Sequence, residues 1–217
     1  DSVGHSAGPQ GAAIDAAIAA VDRDLARLLG GLEARGMRDA VNLVVVSDHG
    51  MAATASTRMI DFGRLVAPAD ASVRYWGTII GVEPHPGRKA MVERALLRRH
   101  AHMDCWRRSA IPPRFRYGNN PRVAPIVCLA RVGWVIASHD WLMRNPRQKP
   151  GGAHGYDNEA PSMRALFIAQ GPAFRSATLV DPIEARDVYG VLMGALGLPP
   201  EVPLAHPARS AAILAPR

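Results

Sequence analysis

The run Val41-Asn-Leu-Val-Val-Val46, closed at once by Ser47-Asp48-His49-Gly50-Met51, constrains this chain more than any other stretch. A short segment that is β-branched and apolar almost throughout reads as a strand covered on both faces, as in a parallel sheet, because a half-exposed strand would alternate with polar residues. Ahead of it, from about Pro9 to Ala34, Ile14, Ile18, Val21, Leu25, Leu28, Leu29 and Leu32 recur at steps of three and four, the pattern of a long amphipathic helix. A helix followed by a buried strand is half of an α/β unit, and open α/β sheets gather their ligands just past the carboxyl ends of strands. Asp48 and His49 occupy that place. Packing does not explain them, since burying a carboxylate without a partner costs several kcal/mol.

Two further blocks carry the same ligand types. Asp1-Ser-Val-Gly-His5-Ser-Ala-Gly8-Pro9 sets a carboxylate and an imidazole four residues apart, on one side of a helical turn. Gly152-Ala-His154-Gly155-Tyr156-Asp157-Asn158 sets a histidine among glycines at 151, 152 and 155, which let backbone approach a ligand closely. Together Asp1, His5, Asp48, His49 and His154 offer most of the ligands for two neighbouring divalent ions. Carboxylate oxygen mixed with imidazole nitrogen suits zinc, and manganese or iron less well; a pair of such ions can clamp a phosphoryl group during in-line displacement. Asp157 is a candidate for orienting a ligand histidine through its second ring nitrogen. The other histidines, His85, His100, His102, His139 and His206, lack such settings and read as surface or partly buried residues.

Elsewhere the spacing predicts a loop with a short strand or turn over Ala52–Val66, a strand over residues 73–82 and a helix from Gly87 to about His100. Short strands follow at Phe115–Tyr117, Ile126–Leu129 and Gly133–Ala137, so that residues of about 70–145 form a small α+β insertion. A polar loop over Asn145–Gly152, a buried strand over Arg164–Ala169, a closing helix over Ile183–Leu196 and an irregular tail after Pro199 complete the prediction. The expected class is α/β, a mostly parallel sheet flanked by helices, as one partial catalytic domain over residues 1–217.

Bulk properties narrow the partners. A hydrophobic content of 48% and a charged content of 21% are those of a chain that folds around a core rather than a disordered one. A net charge of +7 can draw in an anionic substrate, but the arginines are scattered with no basic tract interleaved with aromatics, so no nucleic acid is expected. No apolar run reaches membrane-spanning length. Cys105 and Cys128 allow at most one internal disulfide, sit in no zinc-binding spacing and do not fix the redox compartment. The first motif begins on residue 1, where a ligand would be frayed and close to a positive amine, so the chain reads as cut rather than complete.

In this order the three blocks closely resemble the motifs of the nucleotide pyrophosphatase/phosphodiesterase family, the type I phosphodiesterases, within the alkaline phosphatase superfamily. The family's Asp-x-x-Gly-His-x-x-Gly-Pro is matched at Asp1–Pro9, its Ser-Asp-His-Gly-Met at 47–51 and its Gly-x-His-Gly-Tyr-Asp-Asn at 152–158. Further similarity runs through Pro112–Arg122, Gly133-Trp134 and Met163–Phe174 to about Leu198. The resemblance implies an alkaline-phosphatase-like fold and a hydrolase of phosphodiester or pyrophosphate bonds acting on a small-molecule phosphodiester or nucleotide. It implies two divalent ions, zinc expected, with Asp1, His5 and His154 on one and Asp48 and His49 on the other. A periplasmic or extracellular setting follows by the same analogy. The family's Thr or Ser nucleophile, and an Asp that completes the second ion, lie upstream of the first matched motif, and no residue here occupies either place. Two rivals follow: another branch of the superfamily, phosphonoacetate-hydrolase-like or phosphomonoesterase, or a catalytically silent metal-binding fragment.

Overall fold

The computed structural model describes residues 1–146 and 149–216; part of the loop expected over Asn145–Gly152 therefore lies outside the described residues. The helices are α1 (Ser2–Ala7), α2 (Ala12–Glu33), α3 (Lys89–Leu96), α4 (His139–Arg144), α5 (Asp187–Leu196) and α6 (Pro207–Ile213). The strands are β1 (Leu43–Val46), β2 (Ala52–Ala53), β3 (Met59–Asp61), β4 (Ala71–Tyr75) and β5 (Ile79–Pro84), then β6 (Met103–Arg107), β7 (Ile126–Ala130), β8 (Val135–Ala137), β9 (Gly152–Ala153) and β10 (Phe167–Gln170). Two compact units result, one of Asp1–Ala17 with His49–Arg164, the other of Ile18–Asp48 with Ala165–Arg217. No helix among the described residues is long and apolar enough to cross a membrane.

The first unit is built on an antiparallel sheet in the order β4-β5-β7-β6. Ile80 pairs with Cys128 and Val82 with Ile126, so these four side chains share one face, where they pack with Val92 and Leu96 of α3 and with Met103. Each such side chain, fully buried, contributes about 1.5–3 kcal/mol. The opposite face carries Val127 against Ile111 and Val123, with Trp106 and Phe115 alongside. Cys105 lies directly opposite Cys128 across β6 and β7, and the two form a disulfide that ties the edge strand β6 covalently to its neighbour. Beside the sheet stand the parallel pair β3–β8 and the short antiparallel pair β2–β9.

In the second unit β1 and β10 pair antiparallel, with Val44 opposite Ala169 and Val46 opposite Phe167. Val44, Phe167 and Ala169 pack on Phe174, Val191 and Ile213, which joins the strands to α5 and α6. At the start of α5, Asp187 is 2% exposed. It accepts from the Glu184 main-chain N–H at 2.9 Å, pairs with His206 Nδ1 at 2.9 Å and accepts from Arg209 at 3.3 Å. The last two hold the beginning of α6 to the beginning of α5.

The mixed α/β class is as expected, while the direction of pairing differs. Among the described residues β3–β8 is the parallel pair and the rest are antiparallel, β1 with β10 included. An all-apolar run gives neither the sense of the neighbouring strand nor, here, the expected cover on both faces: β1 has no fully buried residue and Val46 is 50% exposed. The single strand expected over residues 73–82 is a hairpin, because Gly77, at φ 137°, turns the chain between β4 and β5. Phe115–Tyr117 is not a strand: Pro113–Phe115 forms one 3-10 turn and Arg116 caps it at φ 49°. Several elements went unread, β9 in the glycine loop among them. β6 mixes polar with apolar residues, α4 begins at the cap Ser138, whose hydroxyl accepts from Trp141 N–H, and α6 lies in the Ala/Pro-rich tail. Helix α2 runs where its periodicity puts it, yet none of its residues is buried; Ile18 and Val21 are 62% and 67% exposed.

Burial alone would raise the Asp187 carboxyl, but the Glu184 N–H, His206 and Arg209 outweigh it and hold it below the usual carboxylate value. The unfolded chain therefore takes up this proton at higher pH than the folded chain does. The contribution is complete above the ordinary carboxylate range and is lost as pH falls through the depressed folded-state value. Asp187→Asn is expected to lower stability at pH 7 by about 1.5–3 kcal/mol, the worth of hydrogen bonds to a charged group. It should also flatten the acid limb of the stability profile, measured by urea unfolding between pH 3 and pH 7.

Candidate metal centre

Three chain segments meet in the first unit because glycines let their backbones touch. A Cβ on Gly152 would stand 2.4 Å from the Gly4 carbonyl oxygen, and one on Gly151 would stand 2.2 Å from that of His5. Any side chain there would force α1 and β9 apart. Met51 fills the remaining gap: its Cε would lie 3.0 Å from a Cβ on Gly4 and its Sδ 2.8 Å from one on Gly152. The segment carrying Met51 is then stitched to the third block as β2 on β9, with Ala53 opposite Gly152, and by Thr54 N–H donating to Gly151 O at 2.8 Å. Upstream of Met51, Gly50 N–H donates to Met163 O at 3.1 Å. Past His154, Tyr156 is 5% exposed in the main core and anchors the loop from its other side.

This contact brings together Asp1, His49 and His154, each of which has a potential ligand atom within 4.8 Å of the others. Zinc holds oxygen and nitrogen ligands at about 2.0–2.2 Å, so donors on one ion stand within about 4 Å of each other. The spacing found here fits a shared cation with small side-chain adjustment. His154 Nε2 is 3.7 Å from one Asp1 oxygen and His5 Nε2 is 3.2 Å from the other. The rings of His49 and His154 stack with centroids 3.5 Å apart. His5 Nδ1 lies 2.9 Å from Gly152 O and His49 Nδ1 lies 2.9 Å from Gly50 O. A neutral imidazole that donates from Nδ1 to a carbonyl presents the lone pair of Nε2 outward, which is how metal-ligating histidines are oriented.

The three convergent residues draw His49 together with Asp1 and His154, with His5 beside Asp1. Asp48 is exposed and is the last residue of its segment in the second unit, next to His49 in the chain. Asp157 accepts from Arg114 on both its oxygens, at 2.7 and 2.5 Å, and from Glu159 N–H at 3.0 Å. Arg114, only partly offset by burial and joined by that N–H, holds the Asp157 carboxyl below its usual value. For His5 and His49 the orienting acceptors are main-chain carbonyls, which no residue-type pattern reveals. Thr78, whose hydroxyl donates to His154 O at 2.7 Å, was likewise invisible to motif reading.

Residues 1–157 match the family model described as type I phosphodiesterase / nucleotide pyrophosphatase. An uncharacterized pyrophosphatase/phosphodiesterase of Schizosaccharomyces pombe is 34% identical over 211 residues, covering 92% of this chain and 43% of that protein. A bis(5'-adenosyl)-triphosphatase of Mus musculus is 31% identical over 201 residues, covering 92% and 42%. Among solved structures, human ectonucleotide pyrophosphatase/phosphodiesterase 5 superposes with a TM-score of 0.91 at 26% identity, over 99% of this chain and 56% of that one. The murine protein, as an inactive threonine-to-alanine variant in complex with AMP, gives 0.89 at 29% identity, again over 99% and 56%. The chain thus spans less than half the length of these curated relatives.

Gly152→Ala is expected to destabilise the chain by about 1–3 kcal/mol, the usual cost of overpacking, because backbone rather than a flexible side chain stands in the way. Gly30→Ala, in α2 with nothing within 4 Å of its Cβ position, should be neutral or stabilising by up to about 1 kcal/mol. Chemical denaturation of the two variants checks the contrast.

Proposed function

Since this chain belongs to the type I phosphodiesterase/nucleotide pyrophosphatase family, we propose that it carries the metal-binding part of a hydrolase of phosphodiester or pyrophosphate bonds acting on nucleotides or similar small phosphodiesters. The observation that carries this is the convergence of Asp1, His49 and His154, from three motifs distant in sequence, to within 4.8 Å of one another. Asp1, His5, His49 and His154 would hold divalent cations, with zinc favoured by the mixed oxygen and nitrogen donors. Asp48 enters on its motif alone. Bound there, a pair of such ions would supply Lewis acidity that neutralises charge developing on a transferring phosphoryl group.

What the chain's own residues contribute is orientation. Gly152 O and Gly50 O fix the rings of His5 and His49, so that Nε2 of each is aimed without a rotamer search at binding. Asp1 brings the negative charge that a cation site needs. Asp157 is held by Arg114 and shapes the third loop instead of carrying a proton. A net charge of +7 favours encounter with anionic esters. Nucleotide chemistry is supported by the AMP complex of the murine relative and the diadenosine substrate in the name of another. The inactivating threonine substitution in that murine relative supports a hydroxyl nucleophile, contributed by the part of the fold that this chain does not span.

His154→Ala is expected to lower zinc content and to weaken zinc affinity by at least about tenfold, read by metal analysis and chelator competition. Unchanged zinc content would refute the metal assignment. In a polypeptide that also carries the nucleophile, bis-aryl phosphate should be hydrolysed in preference to mono-aryl phosphate. The reverse preference would favour a phosphomonoesterase.

A further inference from the structure

We propose that Thr78 is a positioning residue for His154, setting the height of the imidazole by a hydrogen bond to the main-chain carbonyl of that same residue. Its hydroxyl donates to His154 O at 2.7 Å, and the residue is only 8% exposed, one of few buried polar positions. The contact is dense as well as directional: a Cβ on Gly155 would lie 2.9 Å from Thr78 Oγ1, so the hydroxyl meets two consecutive residues of the loop.

Thr78 is itself held on both sides. Its carbonyl accepts from Ala130 N–H at 2.7 Å, and the carbonyl of Gly77 accepts from Ile136 N–H at 2.8 Å. It therefore belongs to the rigid frame of the four-stranded sheet, at the entry to β5, and not to the loop it touches. The loop has firm anchors at Gly152, against α1, and at Tyr156, in the core. Between them Thr78 holds the main chain at His154. A functional group must be fixed to about 0.5 Å to act, which anchors two residues away do not guarantee. Threonine supplies the donor, and its methyl group keeps the buried position filled.

The role rests on His154 being a metal ligand, and the test separates the two claims. Cobalt(II) is titrated into the full chain, with affinity from chelator competition and ligand geometry from the visible absorption of the bound ion. Thr78→Val keeps the shape and removes the donor; it should weaken cobalt affinity about tenfold and alter the absorption, while Thr78→Ser restores most of both. Equal binding by wild type and His154→Ala would overturn the ligand assignment and this role with it. Binding lost in His154→Ala but undisturbed in Thr78→Val would overturn the role of Thr78 alone. Should Thr78→Val not fold, Thr78→Ala removes the same hydroxyl without crowding. In the metal-free chain, the His154 ring proton resonances must shift in that variant relative to wild type and Thr78→Ser; unmoved resonances would overturn the proposal.

Discussion

The approach of two backbones at Gly4 and Gly152 is the contact on which the candidate centre depends. A carbonyl oxygen stands where a side chain on residue 152 would begin, so the distance between α1 and β9 is set by the absence of an atom. Met51 then wedges against both glycines and carries the segment beginning at His49 into the same place. Histidine and aspartate side chains are long enough to reach one another only after the main chains have been brought this close. Ligand residues without these glycines would be correct in type and wrong in position.

Rigidity reaches the centre from the sheet. Four hydrogen-bonded strands, packed through Ile80, Val82 and Ile126 and tied between β6 and β7 by a disulfide, form a frame apart from the candidate centre. The loop bearing His154 is pinned to that frame by Tyr156 in the core and by the hydroxyl of Thr78. Carbonyls of Gly50 and Gly152 fix ring orientation locally. Long-range packing thus positions the loops, and short-range hydrogen bonds aim the side chains.

Much of the element order was readable, and the misreadings have physical causes. Helix α2 and strand β1 declare themselves because periodicity and β-branching act over consecutive residues. The hairpin of β4 and β5 was hidden because a single glycine, with no proline or asparagine beside it to signal a turn, makes the reversal. Strand β6 was missed because it mixes Asp104 and Arg107 with apolar side chains, and helix α6 because propensity in an Ala/Pro-rich tail says little until Asp187 captures its first turn. The stripe on α2 shows the converse: the pattern predicts a helix well, and says nothing about how deeply that helix is buried.

From sequence alone came the kinds of candidate ligand, their order along the chain and the family they belong to, since a motif is a local arrangement of residue types. Tertiary structure decided that Asp1 meets His49 and His154, that Asp157 goes to Arg114 and that a threonine 76 residues away holds His154. Spacing constrains neighbours within a helical turn or along a strand. It carries no information about which distant loops meet, because that follows from where glycines permit backbone contact and where the sheet leaves room.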